Sequence, residues 1–305
     1  MKLPTYILTI VYLSSLLVTG CRKEAKLTPT TDPEDVYNGN TLPQGNHPYD
    51  ADIKQLFDKY QTLFLYKYVH HDLYYNVNDD FSGIYDTVSD NTTKGGYFDV
   101  SADEGYIGAL LDTLKNVWLN YYPDSLLKKG LPQKVFLVDS FYFAYPGPGK
   151  PVDNYPVMAD VYSGGDYILA ARGGARILNM TPEDRYAFKA QLNSAFLTFA
   201  HKLGAVRPST TWGAITDYAS LNYLNYYALG AIYQDPYGNN PDKDWDSYMT
   251  AIVSNSYATL TSPGNILDPA VDVNGLIRQR YDMMIAYFKT LFGVDLQAIG
   301  DAGSQ

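Results

Sequence analysis

The groups in this 305-residue chain that could hold a metal, attack a carbonyl or move a proton are few and unevenly spaced. They are four histidines, a single cysteine and 33 acidic residues. His201 stands in Phe196-Leu197-Thr198-Phe199-Ala200-His201-Lys202-Leu203-Gly204 with no second histidine near it. Zinc hydrolysis on a helix needs two imidazoles at i and i+4, because that spacing puts both on one face within about 2.0–2.1 Å of one ion. One imidazole alone is a poor chelate. His70 and His71 are adjacent, so on a strand they point to opposite faces and cannot share an ion. His47 falls in a Pro/Gly-rich stretch that reads as a tether. Asp242-x-Asp244-x-Asp246 opens like a calcium loop, but Ser247 replaces the glycine at loop position six and Val253 the bidentate glutamate at twelve. The plainer role for these three acids is to solvate a loop and favour the N-terminus of the helix that follows.

Other reaction classes find less support. The chain has no Gly-Lys-Ser/Thr phosphate cradle and no Gly-x-Ser-x-Gly elbow. Glu104, Glu183 and the many aspartates could supply a glycosidase pair, but no two are singled out. Gly164-Gly165 and Gly173-Gly174 read as tight turns at strand ends. Net charge is −10, and no cluster of cations offers a duplex its phosphate contacts, so nucleic acid is not an expected partner. With one cysteine there is no internal disulfide and no Cys-rich zinc site. The 30 tyrosines supply rigid contact area with a polar tip, which suits a peptide or glycan ligand as well as an ordinary core.

The cysteine has a different use. Lys2 precedes an apolar run from Tyr6 to Val18 that is shorter than the roughly 20 residues of a spanning helix but fits a secretory h-region. It ends in Leu17-Val18-Thr19-Gly20-Cys21, which resembles the bacterial lipobox. The resemblance implies cleavage after residue 20 and lipidation of Cys21, and acyl chains bury about 0.8 kcal/mol per methylene in a bilayer. The expected organisation is a signal peptide over 1–20, a flexible tether over 21–49, one domain over 50–295 and a tail over 296–305. Attachment to the outer membrane is the expected location, with either face open because Arg22-Lys23 follow the cysteine directly.

Several elements must position these groups. Ile53, Leu56, Phe57, Tyr60, Leu63 and Phe64 repeat with a helical period, predicting a helix over 50–66. Short apolar runs between 68 and 88 read as strands and turns. Ser101-Ala102-Asp103-Glu104 starts a second helix with Ile107, Leu110, Leu111, Leu114, Val117 and Trp118 on one face. Val135-Phe136-Leu137-Val138 and Tyr167-Ile168-Leu169-Ala170 read as strands, with a loop at 145–149 between them. Thr181-Pro182-Glu183-Asp184 is a helix start, and Gly204 marks its stop. Residues 218–229, 246–257 and 274–292 read as further helices. Helix, mixed strands and then several helices predict an α+β fold with one core.

On these residues the chain resembles the zinc metallohydrolase-like, zincin-like lipoproteins associated with nutrient import of the starch-utilisation type. The resemblance rests on Phe196–Gly204, on Asn116-Val117-Trp118 with Tyr121-Tyr122, on Pro132–Val138, and on Asn240-Pro241-Asp242-Lys243-Asp244-Trp245-Asp246-Ser247. It implies a zincin-like domain whose central helix usually carries His-Glu-x-x-His, the glutamate taking a proton from zinc-bound water. Here Leu197 stands where the first histidine would be, Thr198 where the base would be, and Ser247 where a downstream acid would be. The implied function is therefore a pseudoenzyme, with no catalytic residue and no cofactor, that binds a peptide, glycan or partner within an outer-membrane uptake complex. The alternative is an active zinc hydrolase holding its metal with His201, Asp244 or Asp246, and one further ligand.

Overall fold

The structure, a computed structural model, describes residues 41–68, 70–73, 96–144, 157–233 and 238–303. The lipobox with Cys21, the tether up to residue 40, the 145–149 loop and most of the 68–88 segment lie outside them. The helices are α1 (Pro48–Tyr60), α2 (His70–Leu73), α3 (Ile107–Val117), α4 (Asp124–Gly130), α5 (Pro182–Lys202), α6 (Thr210–Gly213), α7 (Pro241–Ser254), α8 (Tyr257–Thr261), α9 (Leu276–Phe292) and α10 (Leu296–Asp301). The strands are β1 (Leu63–Leu65), β2 (Gly96–Ser101), β3 (Lys134–Ala144), β4 (Val157–Ala159), β5 (Val161–Ser163) and β6 (Tyr167–Ala170). This is an α+β fold with one mixed sheet, as the order of apolar patterns predicts.

Strand β3 organises the sheet. Its first half, Lys134–Leu137, lies parallel to β1 and β6, while its second half pairs antiparallel with β2 and β4. β5 runs antiparallel to β6, and among the described residues it has no other strand neighbour. Side chains alternate along a strand, and here both faces are buried. Val135, Leu137, Ile168 and Ala170 face the helices, whereas Phe136, Val138, Tyr167 and Leu169 form a second cluster behind the sheet.

Helix α5 crosses the helical face as the longest element. Its start follows the sequence signals: Thr181 Oγ1 accepts from the Asp184 N–H at 3.1 Å, and the Asp184 carboxylate accepts from the Thr181 N–H at 3.1 Å. At its far end Gly204 adopts φ 75°, the left-handed conformation that ends helices with least strain in glycine. Gly130 on α4 lies so close to Ala200 that a Cβ there would sit 2.8 Å from the alanine methyl.

Five local expectations differ from the fold. The first helix ends at Tyr60, Gln61 turns left-handed at φ 59°, and Leu63–Leu65 form β1 instead. The apolar period ran on because a buried strand and a helix face use the same residues. His47 belongs to the folded part: it precedes Pro48 as the N-cap of α1, with its ring stacked on Tyr49 at 4.9 Å. His70 and His71 begin helix α2 rather than a strand. The segment 218–229 forms two 3-10 turns, because Asp217, Asn222 and Asn225 hydrogen-bond nearby backbone in place of a helical ladder. The last ten residues include α10, whose Leu296 and Ile299 are buried and whose end carbonyls accept from the buried Lys189 ammonium. No helix among the described residues is long and apolar enough to cross a membrane.

Beside this frame, α7 and α9 enclose a charge pair. Arg280 and Asp244 are 0% and 1% exposed and ion-paired. The guanidinium lies 3.4 Å from the Trp212 ring centroid and also donates to Thr216 Oγ1 and Gly230 O, each at 2.9 Å. Asp244 Oδ1 accepts from the N–H groups of Ile232 and Tyr233 at 2.9 and 3.1 Å, which pins the irregular 216–233 segment to both helices. Breaking such a pair from one side leaves a buried charge without a counter-ion, a loss of about 3–5 kcal/mol. Arg280→Met should lower unfolding stability by that amount in denaturant titration. A loss below about 1 kcal/mol, the scale of an exposed pair, would contradict this role.

Candidate functional site

Helices α5 and α7 lie side by side, and the residues singled out by their chemistry are distributed along that seam. His201, in the last turn of α5, projects onto the first turns of α7. Its Nδ1 lies 2.8 Å from Asp246 Oδ1 and its Nε2 lies 3.5 Å from Asp242 Oδ1. Asp242 and Asp246 are i and i+4 on α7, so one face presents both. Asp244 lies two residues from each, about 200° away around the helix, and is committed to Arg280. The three acids therefore do not form one cluster. Ser247 donates to the Lys243 carbonyl at 2.9 Å within its own helix.

The His201 pKa is raised above the ordinary imidazole value, chiefly by the hydrogen bond with Asp246; partial burial opposes the shift, and the charges of Asp246 and Asp242 add to it. Its position at a helix C-terminus also favours the cation. The arrangement is a carboxylate–imidazole–carboxylate clamp between two helices.

One turn before His201, Leu197 is fully buried in the helical core. Thr198 faces outward into a groove of about 530 Å³ between β5, α5 and α7. Gln191, Ser194, Thr250 and Ser163 line the same groove, and the hydroxyls of Ser194 and Thr250 lie 2.7 Å apart across the helix seam. Among the described residues no ionisable side chain lines it. A hydroxyl beside other hydroxyls has no carboxylate or imidazole to take its proton, so this groove lacks a general base.

These donors do not fit a zinc ion. The position one turn back is a hydrocarbon packed in the core, Asp244 is turned into a different cluster and Asp246 takes Nδ1, so only Nε2 of His201 and the exposed Asp242 are left as donors, too few for a zinc site. Among the described residues no three or more His, Cys, Asp and Glu side chains are grouped to hold a metal. Of the residues weighed from sequence, the fold brings together His201, Asp242 and Asp246, and separates Asp244, Leu197 and Ser247 from them. Arg280 was not singled out from sequence. Its signal is a lone cation at the face of α9 that also carries Ile277, Tyr281, Met284 and Phe288, where burial demands a counter-charge.

No family model matches the chain, and no curated protein matches it. Among solved structures the chain is similar to one from Bacteroides caccae ATCC 43185 described as a putative zinc-binding metallo-peptidase, at 12% identity and a TM-score of 0.45. That similarity covers 86% of this chain and 93% of the other. A likeness of that strength does not say which residues act.

Because the folded state favours the imidazolium, the clamp contributes its full stability below the unfolded value of about 6.5 and loses it as pH rises through the higher folded value. An NMR titration of His201 should give a pKa above 6.5 that falls back in Asp246→Asn, and the stability gap between wild type and this variant should narrow as pH rises above about 6.5. A His201 pKa at or below 6.5 would contradict the clamp.

Proposed function

We propose that this chain is a lipid-anchored envelope protein whose metallopeptidase-like domain binds rather than hydrolyses, as an accessory component of a nutrient-uptake system. The observation that carries the reading is the chemistry of the α5–α7 seam. One turn before His201 stand Leu197, packed in the core, and Thr198, so neither a second imidazole nor a carboxylate base accompanies it there, and the groove that Thr198 lines holds hydroxyls and methyl groups but, among the described residues, nothing that cycles protons.

Such a groove suits an uncharged, extended peptide. β5 borders it, and strand addition along an exposed edge supplies backbone hydrogen bonds without any catalytic group. Small side chains such as Ala187, Ala190 and Ala195 leave room for a ligand backbone to approach. The lipobox residues Leu17–Cys21 support anchoring, and the acidic, histidine-poor composition agrees with a role outside nucleic-acid chemistry.

The test for the binding reading is zinc stoichiometry on the full chain purified in detergent, incubated with zinc and dialysed. Retained zinc should be far below one equivalent and unchanged in His201→Ala. One equivalent that disappears in His201→Ala would establish the hydrolase alternative. For the anchor, Cys21→Ala should release the protein from sedimented membranes; unchanged retention would refute lipid attachment.

A further inference from the structure

The loop between Asp217 and Gly230 holds two apolar side chains out in solvent. Tyr223 is 73% and Leu224 79% exposed, the highest values for large apolar side chains among the described residues. Val273 is exposed as well, on the neighbouring turn, where the Asn274 amide donates to Ala228 O at 2.7 Å. Surface loops usually carry polar and charged tips. Here no residue from Tyr218 to Tyr233 is charged, although the whole chain carries −10. The tip is also stiff. Asn222 Oδ1 accepts from the Leu224 N–H at 2.9 Å, Asn225 Oδ1 accepts from the Asn222 N–H at 2.8 Å, and Asn225 Nδ2 donates to Ser220 O at 2.9 Å. Behind it the buried Asp244–Arg280 pair grips Thr216 on one stem and Gly230, Ile232 and Tyr233 on the other.

We infer that Tyr223 and Leu224 insert into the surface of a phospholipid bilayer, the one that holds the anchor, and so set which side of the domain faces it. The inference rests on the lipid-anchored reading of Cys21 and is independent of the peptide-binding reading. Size argues against a protein partner: Tyr223, Leu224 and Val273 together fall short of the roughly 800 Å² that each side of a stable complex buries. Chemistry argues against a sugar, because the Asn222 and Asn225 side chains are largely spent on the backbone of their own loop. A tyrosine beside a leucine suits a bilayer surface, with the phenol among the headgroups and the leucine among the acyl chains. The chain from Cys21 to Thr41 reaches at most about 70 Å when fully extended, so an acylated Cys21 keeps the domain beside the lipid. That confinement raises the effective concentration of bilayer, so a tip too small to bind a membrane alone suffices. A stiff tip has little freedom left to lose on insertion. With no cation at the tip, the contact needs no anionic lipid.

The test is a fluorescence depth measurement on the acylated full chain in phosphatidylcholine–phosphatidylethanolamine vesicles, with acylation of Cys21 checked by mass spectrometry. An environment-sensitive dye is attached to Leu224→Cys or, as a control on another exposed side chain, to Leu178→Cys; Cys21 is the sole natural cysteine and acylation blocks it. The dye at 224 should shift to the blue and be quenched by spin-labelled acyl chains severalfold more than the dye at 178, equally at low and high salt. Adding Tyr223→Ala should weaken that quenching severalfold without lowering Tm, since the ring lies outside the core. On an acylated chain, a dye at 224 that stays aqueous, or equal quenching at both sites, would overturn this inference and leave the anchor standing. A blue shift in the Cys21→Ala chain without lipid that grows with protein concentration would assign the loop to a second copy and overturn it too. An unacylated Cys21 would overturn the anchor and this inference together.

Discussion

A helix turns about 100° per residue, so it cannot aim three carboxylates spaced by two at a single point. That constraint on α7 determines how the whole C-terminal half is tied together. Asp242 and Asp246 look outward to His201 at the end of α5, while Asp244 looks inward to Arg280 on α9. One short helical stretch thereby joins two other helices and an irregular segment. A calcium-like or zinc-like cluster would need the same three acids in a loop, where the backbone is free to bring alternate residues to one side.

The two halves of this arrangement differ in energy and purpose. The inner pair is dry and stacked on Trp212; Asp244 accepts from the Ile232 and Tyr233 N–H groups while Arg280 donates to Thr216 Oγ1 and Gly230 O, so the pair fixes the position of the 216–233 segment. The outer clamp is partly solvated and titrates, so it adjusts the seam rather than building it. Between them the α5–α7 contact is made by small and hydroxylic side chains, which leaves the groove beside β5 open and uncharged. Thr198 thus faces that groove, and Leu197 faces the core.

Much of the frame was legible because its signals are local. Thr181-Pro182 with Asp184 is a complete cap whatever packs nearby, and Gly204 stops the helix for a conformational reason. Val135–Val138 reads as a strand buried on both faces, and it is one. Elsewhere tertiary contacts decide. Leu63–Leu65 continue a helical period but are claimed by the edge of β3, and the tyrosines of 218–229 fit a helix pattern while their backbone follows asparagine and aspartate side chains. The site was half legible: the isolation of His201 from other histidines is plain in the sequence, but its carboxylate partners lie more than 40 residues away. The role of Asp244 depends on Arg280, which no spacing rule connects to it.

The central claim is that His201 serves a helix clamp and not a metal. The most direct measurement is a crystal structure of the full chain grown with about one equivalent of zinc, with anomalous data collected at the zinc edge. The expected result is His201 Nδ1 on Asp246 with no anomalous peak at bonding distance from the imidazole. A peak about 2.0–2.2 Å from His201 and from two further protein donors would contradict it.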